Sequence, residues 1–128
     1  MVLDKKAKNF LAIAAFLMAL SIALGAFGAH GLKKILDENM LEVFKTGVTY
    51  SFYNTLALFA ATFIYMLKKD SKLIKISLYL IVIGTLIFSV SLYALTLLNM
   101  PILGAITPIG GTLQIIAYLL LCIGILKN

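Results

Sequence analysis

Few side chains in this sequence are of types that do chemistry, and their spacing does not assemble a reactive site. The chain has one histidine, His30, one cysteine, Cys122, and five acidic residues. A zinc site takes three or four ligands of these types, and no cluster with suitable spacing is present. Nucleophile–base pairs and the short motifs of hydrolases, metalloproteases and nucleotide-binding loops are also missing. The sequence therefore predicts no enzyme activity, no metal and no cofactor.

Composition restricts the class of protein further. Of 128 residues, 62% are hydrophobic and 12% charged, against roughly a quarter charged in soluble domains. Mean hydropathy is +1.08. Soluble, disordered and disulfide-rich folds are excluded. The net charge of +6 results from eleven lysines and five acidic residues, and there is no arginine. No guanidinium group is therefore present to form paired hydrogen bonds with phosphate or guanine. We expect an integral membrane protein with lipids, and no nucleic acid, as partners.

Four apolar windows are long enough to span a membrane, which takes roughly 20 helical residues. They cover residues 9–29, 48–67, 76–98 and 103–126, and none contains a charged residue. The first could be taken for a secretory signal, but it is long for one and lacks an A-x-A cleavage site. Short connections favour antiparallel neighbours. The fold predicted for residues 1–128 is a single domain, an all-α integral membrane four-helix bundle with up-down topology.

Lysine placement predicts the orientation in the membrane. Eight lysines flank the side that carries both termini and the 68–75 connection, whereas only Lys33, Lys34 and Lys45 lie on the other side. Lysines collect on the cytoplasmic side of membrane proteins. Both termini are therefore expected in the cytoplasm.

The longer outer connection carries a helical pattern of its own. Apolar residues recur at helical spacing on one face between residues 32 and 45, and the other face is charged. Lys33 with Asp37, and Lys34 with Glu38, are spaced to pair one turn apart. The pattern predicts a short amphipathic interfacial helix between spans 1 and 2, serving either as a lid over the bundle or as a partner-binding helix.

Polar side chains inside the spans concentrate toward the outer ends. Unpaired polar groups are costly in hydrocarbon, so these residues are informative. Two interpretations remain open: a hydrogen-bonded network that fixes helix register, or a shallow pocket that opens toward the outer leaflet. Thr107, Pro108, Gly110 and Gly111 also predict a broken or loosened entry to the fourth helix. The candidate cluster is His30, Tyr50, Asn54, Ser91, Tyr93, Thr107 and Gln114.

Small residues predict where helices pack closely. Gly25, Gly28 and Gly31 form a groove with three-residue spacing, and Ser77, Gly84 and Ser91 form a seam with heptad spacing. Such positions let two helix backbones approach. The expected packing residues are Gly25, Gly28, Gly31, Gly84, Gly110 and Gly111.

Four motifs carry a resemblance to a known family. They are the LGAFGAHGL segment from Leu24 to Leu32, TG-x-x-Y at 46–50, FS-x-SLY at 88–93 and TP-x-GG at 107–111. Together they resemble the YgdD/YwdK-like family of small four-helix bacterial membrane proteins, a domain of unknown function with a eukaryotic transmembrane relative. That family usually carries a glutamine and a histidine where this chain has Ser51 and Asn54. The resemblance implies a multi-pass protein of the bacterial plasma membrane with a part in envelope maintenance.

Two functions follow from these features. The first is a structural or regulatory homo-oligomer that packs with itself or other membrane proteins and supports membrane or envelope integrity. The alternative is binding or transport of a small solute or lipid through the outer polar cluster. Proton-coupled export normally uses an intramembrane carboxylate, and all five acids lie outside the spans.

Overall fold

Four long helices build the chain. A computed structural model describes residues 3–127, and within that range it contains helices, turns and no strand. The helices are α1 (Lys5–His30), α2 (Glu38–Leu67), α3 (Lys72–Leu97) and α4 (Thr107–Leu126). Two short 3₁₀ helices, Leu32–Lys34 and Pro101–Ala105, precede α2 and α4. The predicted all-helical fold is confirmed.

All four helices are long and apolar enough to cross a membrane. The shortest, α4, has 20 residues, which at 1.5 Å per residue spans about 30 Å. Large apolar side chains cover the outside of the molecule: Phe16 is 64% exposed and Ile115 also 64%. An apolar surface of this extent requires lipid around it. Four helices of the described chain thus have the length and composition that the predicted spans require.

Side-chain caps set where three helices begin. Asp4, Asp37 and Ser71 each accept a hydrogen bond from the backbone amide three residues further on, at 2.7, 2.8 and 3.3 Å. Each cap satisfies one of the amide groups that a helix N-terminus leaves free. Asp4 gains a lowered carboxyl pKa from this amide bond and, next in size, from the Tyr65 hydroxyl, so it stays ionised and keeps its capping role.

Sequential helices pack antiparallel, with α1 on α2, α2 on α3 and α3 on α4. The Ser21 and Ser51 hydroxyls share a hydrogen bond of 2.6 Å between α1 and α2. Ser89 donates to the Gly47 carbonyl between α3 and α2 at 2.8 Å. Nearer one end, the core is a buried apolar cluster that includes Leu58 and Leu78. We call this the lysine-rich end, because it carries Lys5, the α2–α3 connection and Lys127; the other is the opposite end.

The prediction of a separate interfacial helix over residues 32–45 is wrong. Leu32–Lys34 is one turn of 3₁₀ helix, residues 35–37 are non-helical, and α2 then runs unbroken from Glu38 through the second span. Asp37 starts this helix by capping it, and no proline follows to end it. The predicted lysine–acid pairs do not form among the described residues, where the ion pair at this end is Lys45–Glu42 at 3.9 Å.

Tertiary contacts explain why α2 continues without a bend. Phe44 is fully buried, and its ring lies where a side chain at Gly28 of α1 would be. The Tyr93 ring of α3 packs over Gly47, 2.8 Å from the position of an added Cβ. Leu32 and Phe44 of the apolar face that suggests a surface helix are therefore buried, whereas Ile35 is 74% exposed. The contacts of Phe44 and Gly47 with α1 and α3 hold the first turns of α2 in line with the span.

The entry to α4 also differs from the prediction. Irregular backbone lies earlier, in the 3₁₀ helix Pro101–Ala105 and at Asn99, whose φ is 52°. From Thr107 onward the helix is regular through Gly110 and Gly111. Pro108 stands in the first turn, where its missing N–H removes no helical hydrogen bond. The expected break at 107–111 is thus a helix start.

Candidate functional site: a cleft between α2 and α4

Close packing of α4 on α3 defines one wall of the candidate site. A Cβ added to Gly84 would lie 3.0 Å from the Gly110 carbonyl oxygen, and one added to Gly110 would lie 2.8 Å from the Gly84 carbonyl. Further along, a Cβ added to Gly124 would lie 2.7 Å from the Ile74 side chain and 3.3 Å from the Ile74 backbone nitrogen. The two backbones touch along much of their length, as small residues permit. This contact fixes which face of α4 is presented toward α2.

A cleft of about 730 Å³ separates α2 from α4. Phe88 of α3 lies between the two walls and is the residue that α3 contributes to the lining. Tyr53 and Ile115, at 61% and 64% exposure, stand at the mouth, so the cleft faces the surrounding lipid. Its lining residues are Thr46, Tyr50, Tyr53, Asn54, Ala57, Phe88, Gly111, Gln114, Ile115 and Tyr118.

Asn54 links the two walls. Its side chain is 4% exposed, and its Nδ2 donates to the Tyr50 carbonyl at 2.7 Å. Its Oδ1 accepts a hydrogen bond from the Tyr118 hydroxyl of α4. The bonding requirements of this buried amide are therefore largely met within the chain. The bond between the helices holds α2 and α4 together at one point of the cleft.

Gln114, in contrast to Asn54, has an unsatisfied hydrogen-bonding group. It is 7% exposed, and its buried Nε2 has no hydrogen-bond partner among residues 3–127. Its Cγ lies 2.9 Å from where a Cβ on Gly84 would stand, so packing against α3 restricts the side chain. A buried amide without a partner carries a desolvation penalty of about 1–3 kcal/mol. The nitrogen has almost no accessible surface, so an incoming acceptor would relieve that penalty once the amide turns toward the cleft.

Aromatic rings supply the apolar part of the lining. The Tyr50 ring lies 5.2 Å from Phe88 and 5.7 Å from Tyr53, centroid to centroid. These contacts are within the usual range for aromatic pairs. The cleft therefore combines uncharged hydrogen-bonding groups with an aromatic wall, a combination suited to a ligand with a neutral polar group and an apolar body.

Only part of the predicted polar cluster lines this cleft. Tyr50, Asn54 and Gln114 do so. Ser91 and Thr107 share a hydrogen bond of 2.6 Å where α3 meets α4, outside the lining.

The other two candidates lie apart from one another. Tyr93 packs on Phe44, with ring centroids 5.1 Å apart, between α3 and α2. His30 is exposed at the end of α1. No group of three His, Cys, Asp or Glu within residues 3–127 is placed to hold a metal ion.

Several lining residues were not selected from the sequence. Tyr118 stands one turn after Gln114, so helical spacing from a selected residue could have indicated it. Tyr53 and Thr46 resemble ordinary interfacial side chains. Phe88 begins the FS-x-SLY motif, but the motif gives no indication of a place in the site, because only the packing of three helices brings Phe88 between α2 and α4.

The glycines selected for packing make contacts inside this chain. Gly28 faces Phe44, and a Cβ on Gly25 would meet Val48 at 3.4 Å. Gly31 lies against the ring of Phe27 on its own helix, and Gly111 stands in ordinary contact distance of Phe88. Together with the Gly84–Gly110 contact, these positions are occupied by intramolecular neighbours.

Four apolar helices long enough to span a membrane, three of which line the cleft, define a small multi-pass membrane protein. The chain belongs to the family described as "Protein of unknown function (DUF423)", whose model matches residues 24–111. The resemblance that the sequence motifs indicate is confirmed.

Curated relatives carry the same membrane-protein description. UPF0382 membrane protein YwdK of Bacillus subtilis is 37% identical over 120 residues, which is 94% of this chain and 98% of that protein. A UPF0382 membrane protein of Haemophilus influenzae is 40% identical over 107 residues, covering 84% and 85%. UPF0382 membrane protein SSP2132 of Staphylococcus saprophyticus is 38% identical, covering 94% and 98%. No solved structure matches the chain.

Proposed function

We propose that this protein binds a neutral amphiphile, a membrane lipid or a small lipophilic solute, in the cleft between α2 and α4. The observation that carries the proposal is the buried Gln114 amide, whose nitrogen has no partner within residues 3–127. Once the Gln114 amide turns toward the cleft, a ligand carbonyl or hydroxyl would accept from it while the apolar body lies against Tyr50 and Phe88. The lining is uncharged, which favours a neutral polar group over an ion.

A binding role fits these groups better than catalysis. The polar atoms of the cleft belong to amides, phenols and a threonine. None of these is a nucleophile with a neighbouring base. We therefore propose a binding or transport module and not an enzyme.

The structural alternative is a homo-oligomer that supports membrane or envelope integrity, alone or with other membrane proteins. Its sequence basis is the glycine and serine seams, which in this fold face neighbouring helices of the same chain. They consequently give no separate argument for a second copy. We keep the oligomer as the competing outcome of the experiment.

The orientation proposed for the molecule has both termini in the cytoplasm of a bacterial cell and the helices in its plasma membrane. Support comes from the lysines, eight of which lie on the side of the termini. The cleft then lies in the outer half of the membrane, since Thr46 and Tyr50 are closer to the opposite end.

Native mass spectrometry of protein released from its own membrane tests the function. We expect a specific adduct whose occupancy falls about tenfold in Gln114→Leu, because one lost hydrogen bond to a buried group is equivalent to about 1.4 kcal/mol. Thr112→Val is the control, a polar-to-apolar change on α4 outside the cleft.

A second pair of variants tests the cleft by its shape. Ala57→Phe should block the cleft sterically, whereas Ala60→Phe, exposed one turn away, should not. A stable oligomer without a specific adduct would overturn the binding proposal and favour the structural one.

A further inference from the structure

A second groove lies at the lysine-rich end, between α1 and α3, and shares no residue with the cleft. Its volume is about 460 Å³. Phe10 and Ile13 of α1 and Ile83 of α3 supply apolar walls, and Lys5 and Lys6 stand at its mouth. The groove therefore runs from a cationic rim at the membrane surface into the apolar part of the molecule.

Contacts with Tyr79 of α3 hold one of these lysines at the mouth. Lys6 Nζ donates to the Tyr79 hydroxyl at 2.8 Å and lies 4.9 Å from the centre of the ring. Phe10 packs edge-on against the same ring at 5.0 Å. The ammonium position is thus set by both helices that form the groove.

The carboxylate of Asp4 is close enough for the charge of Lys6 to help lower its pKa, but its hydrogen bonds and its ion pair are with residues outside the groove lining. Asp4 caps α1, accepts from the Tyr65 hydroxyl of α2 at 2.8 Å and pairs with Lys69 at 3.8 Å. Neither Lys5 nor Lys6 has an ion pair with an acid among the described residues, where the ion pairs are Lys69–Asp4 and Lys45–Glu42. The positive charge at the mouth is therefore available to an external anion.

We propose that this groove binds one anionic phospholipid, with its phosphate at Lys5 and Lys6 and an acyl chain along Phe10, Ile13 and Ile83. Ile13 stands eight residues after Lys5, about 12 Å further along α1, which is the depth of an acyl chain below its phosphate. A free phosphate would use the lysines and leave the apolar walls uncovered, so the groove favours a lipid. Two lysines near an anionic surface give a preference of roughly thirtyfold over a zwitterionic lipid.

The chain contains no tryptophan, so one introduced indole reports on this groove alone. Ile83→Trp is reconstituted in phosphatidylcholine bilayers with increasing fractions of phosphatidylglycerol whose acyl chains are brominated, since bromine quenches an indole that it contacts. Ile116→Trp on α4 is the control at matched depth, because Gly84 packs against Gln114. For Ile83→Trp, we expect half-maximal quenching at a fraction of brominated phosphatidylglycerol that is about thirtyfold lower than the fraction of brominated phosphatidylcholine. For Ile116→Trp, we expect no such difference.

Charge variants identify the headgroup site. Lys5→Gln with Lys6→Gln should remove the preference, whereas Lys72→Gln with Lys127→Gln removes equal charge at the same end and should retain it. If the indole at position 83 itself fills the groove, Leu86→Trp reports the lipid preference instead, because Leu86 lies one turn beyond Ile83 and outside the groove lining. Equal quenching by both lipids at 83 and 86, or a preference unchanged by the Lys5 and Lys6 substitutions, overturns the proposal. Loss of the preference on adding millimolar inorganic phosphate also overturns it, because the site would then recognise phosphate alone.

Discussion

At the scale of single residues, two buried amides of similar chemistry have different surroundings. Asn54 is bonded to a carbonyl of its own helix and to Tyr118 across the cleft. Gln114 has a buried nitrogen without a partner in the described part of the chain. Since an unsatisfied polar group in an apolar interior is unfavourable, Gln114 is the residue whose environment an occupant of the cleft would change.

Adjacent glycines on α4 give a matched pair for a packing prediction. In Gly110→Ala the new Cβ would lie against the Phe88 amide and 2.8 Å from the Gly84 carbonyl, backbone atoms that cannot rotate away. We expect a loss of roughly 1–3 kcal/mol in stability. In Gly111→Ala the Cβ would be 3.6 Å from the Phe88 ring, an ordinary contact, and alanine favours helix. Thermal melts of both variants in one detergent check this; equal melting temperatures would contradict the α3–α4 packing.

At the scale of elements, α2 differs most from the sequence-based prediction. One helix of 30 residues replaces the expected combination of a surface helix and a span. Its first turns pack on α1 and α3 through Phe44 and Gly47. The same helix carries Thr46, Tyr50 and Asn54 along one wall of the cleft. A bend at Gly47 would rotate Thr46 away from the others, so the cleft depends on the continuity of α2.

Spin labels at Asn39 and Tyr53 measure that continuity. Both positions are exposed and stand 14 residues apart on one face of α2, so a straight helix separates their backbones by about 21 Å. Ile76 and Val90 of α3 have the same spacing and provide the reference distance. We expect matching distributions from double electron–electron resonance in a Cys122→Ser background. A clearly shorter or broader distance for the α2 pair would indicate an interfacial helix and refute the continuous one.

At the scale of the whole molecule, charge is distributed unevenly between the two ends. At the lysine-rich end, Lys68 donates to the carbonyls of Gly124 and Ile125 at 2.9 and 3.0 Å and so caps the C-terminus of α4. Lys6 stands at the groove mouth. Lysines at this end therefore have structural contacts in addition to the effect on orientation that we propose for them.

Cysteine labelling in intact cells tests that orientation. In the Cys122→Ser background, Lys33→Cys and Asp70→Cys place single thiols at exposed positions of opposite ends. With both termini cytoplasmic, a membrane-impermeant maleimide should label Lys33→Cys in intact cells and Asp70→Cys only after permeabilisation. The reverse pattern would invert the proposed topology and move the cleft to the inner half of the membrane.

The sequence alone was sufficient for the class of protein and the number of helices. Uninterrupted apolar windows must form helices in lipid, because only that structure satisfies each backbone group within its own segment. Asn54 and Gln114 stand out in the sequence because polar side chains inside a membrane span are energetically costly. Local chemistry thus determined which segments cross the membrane and which residues stand out within them.

Tertiary structure decided how those parts are arranged. Periodicity over residues 32–45 shows an apolar face but does not specify what covers it. In the folded chain, Phe44 packs against Gly28 and Tyr93 packs against Gly47, and these contacts belong to one continuous helix, α2. Separation of His30, Ser91 and Tyr93 from the cleft likewise depends on helix rotation, which membrane depth does not encode. Phe88 joins the site only because Gly84 and Gly110 bring α3 and α4 into backbone contact. Packing between helices is non-local, so the cleft exists only in the folded molecule.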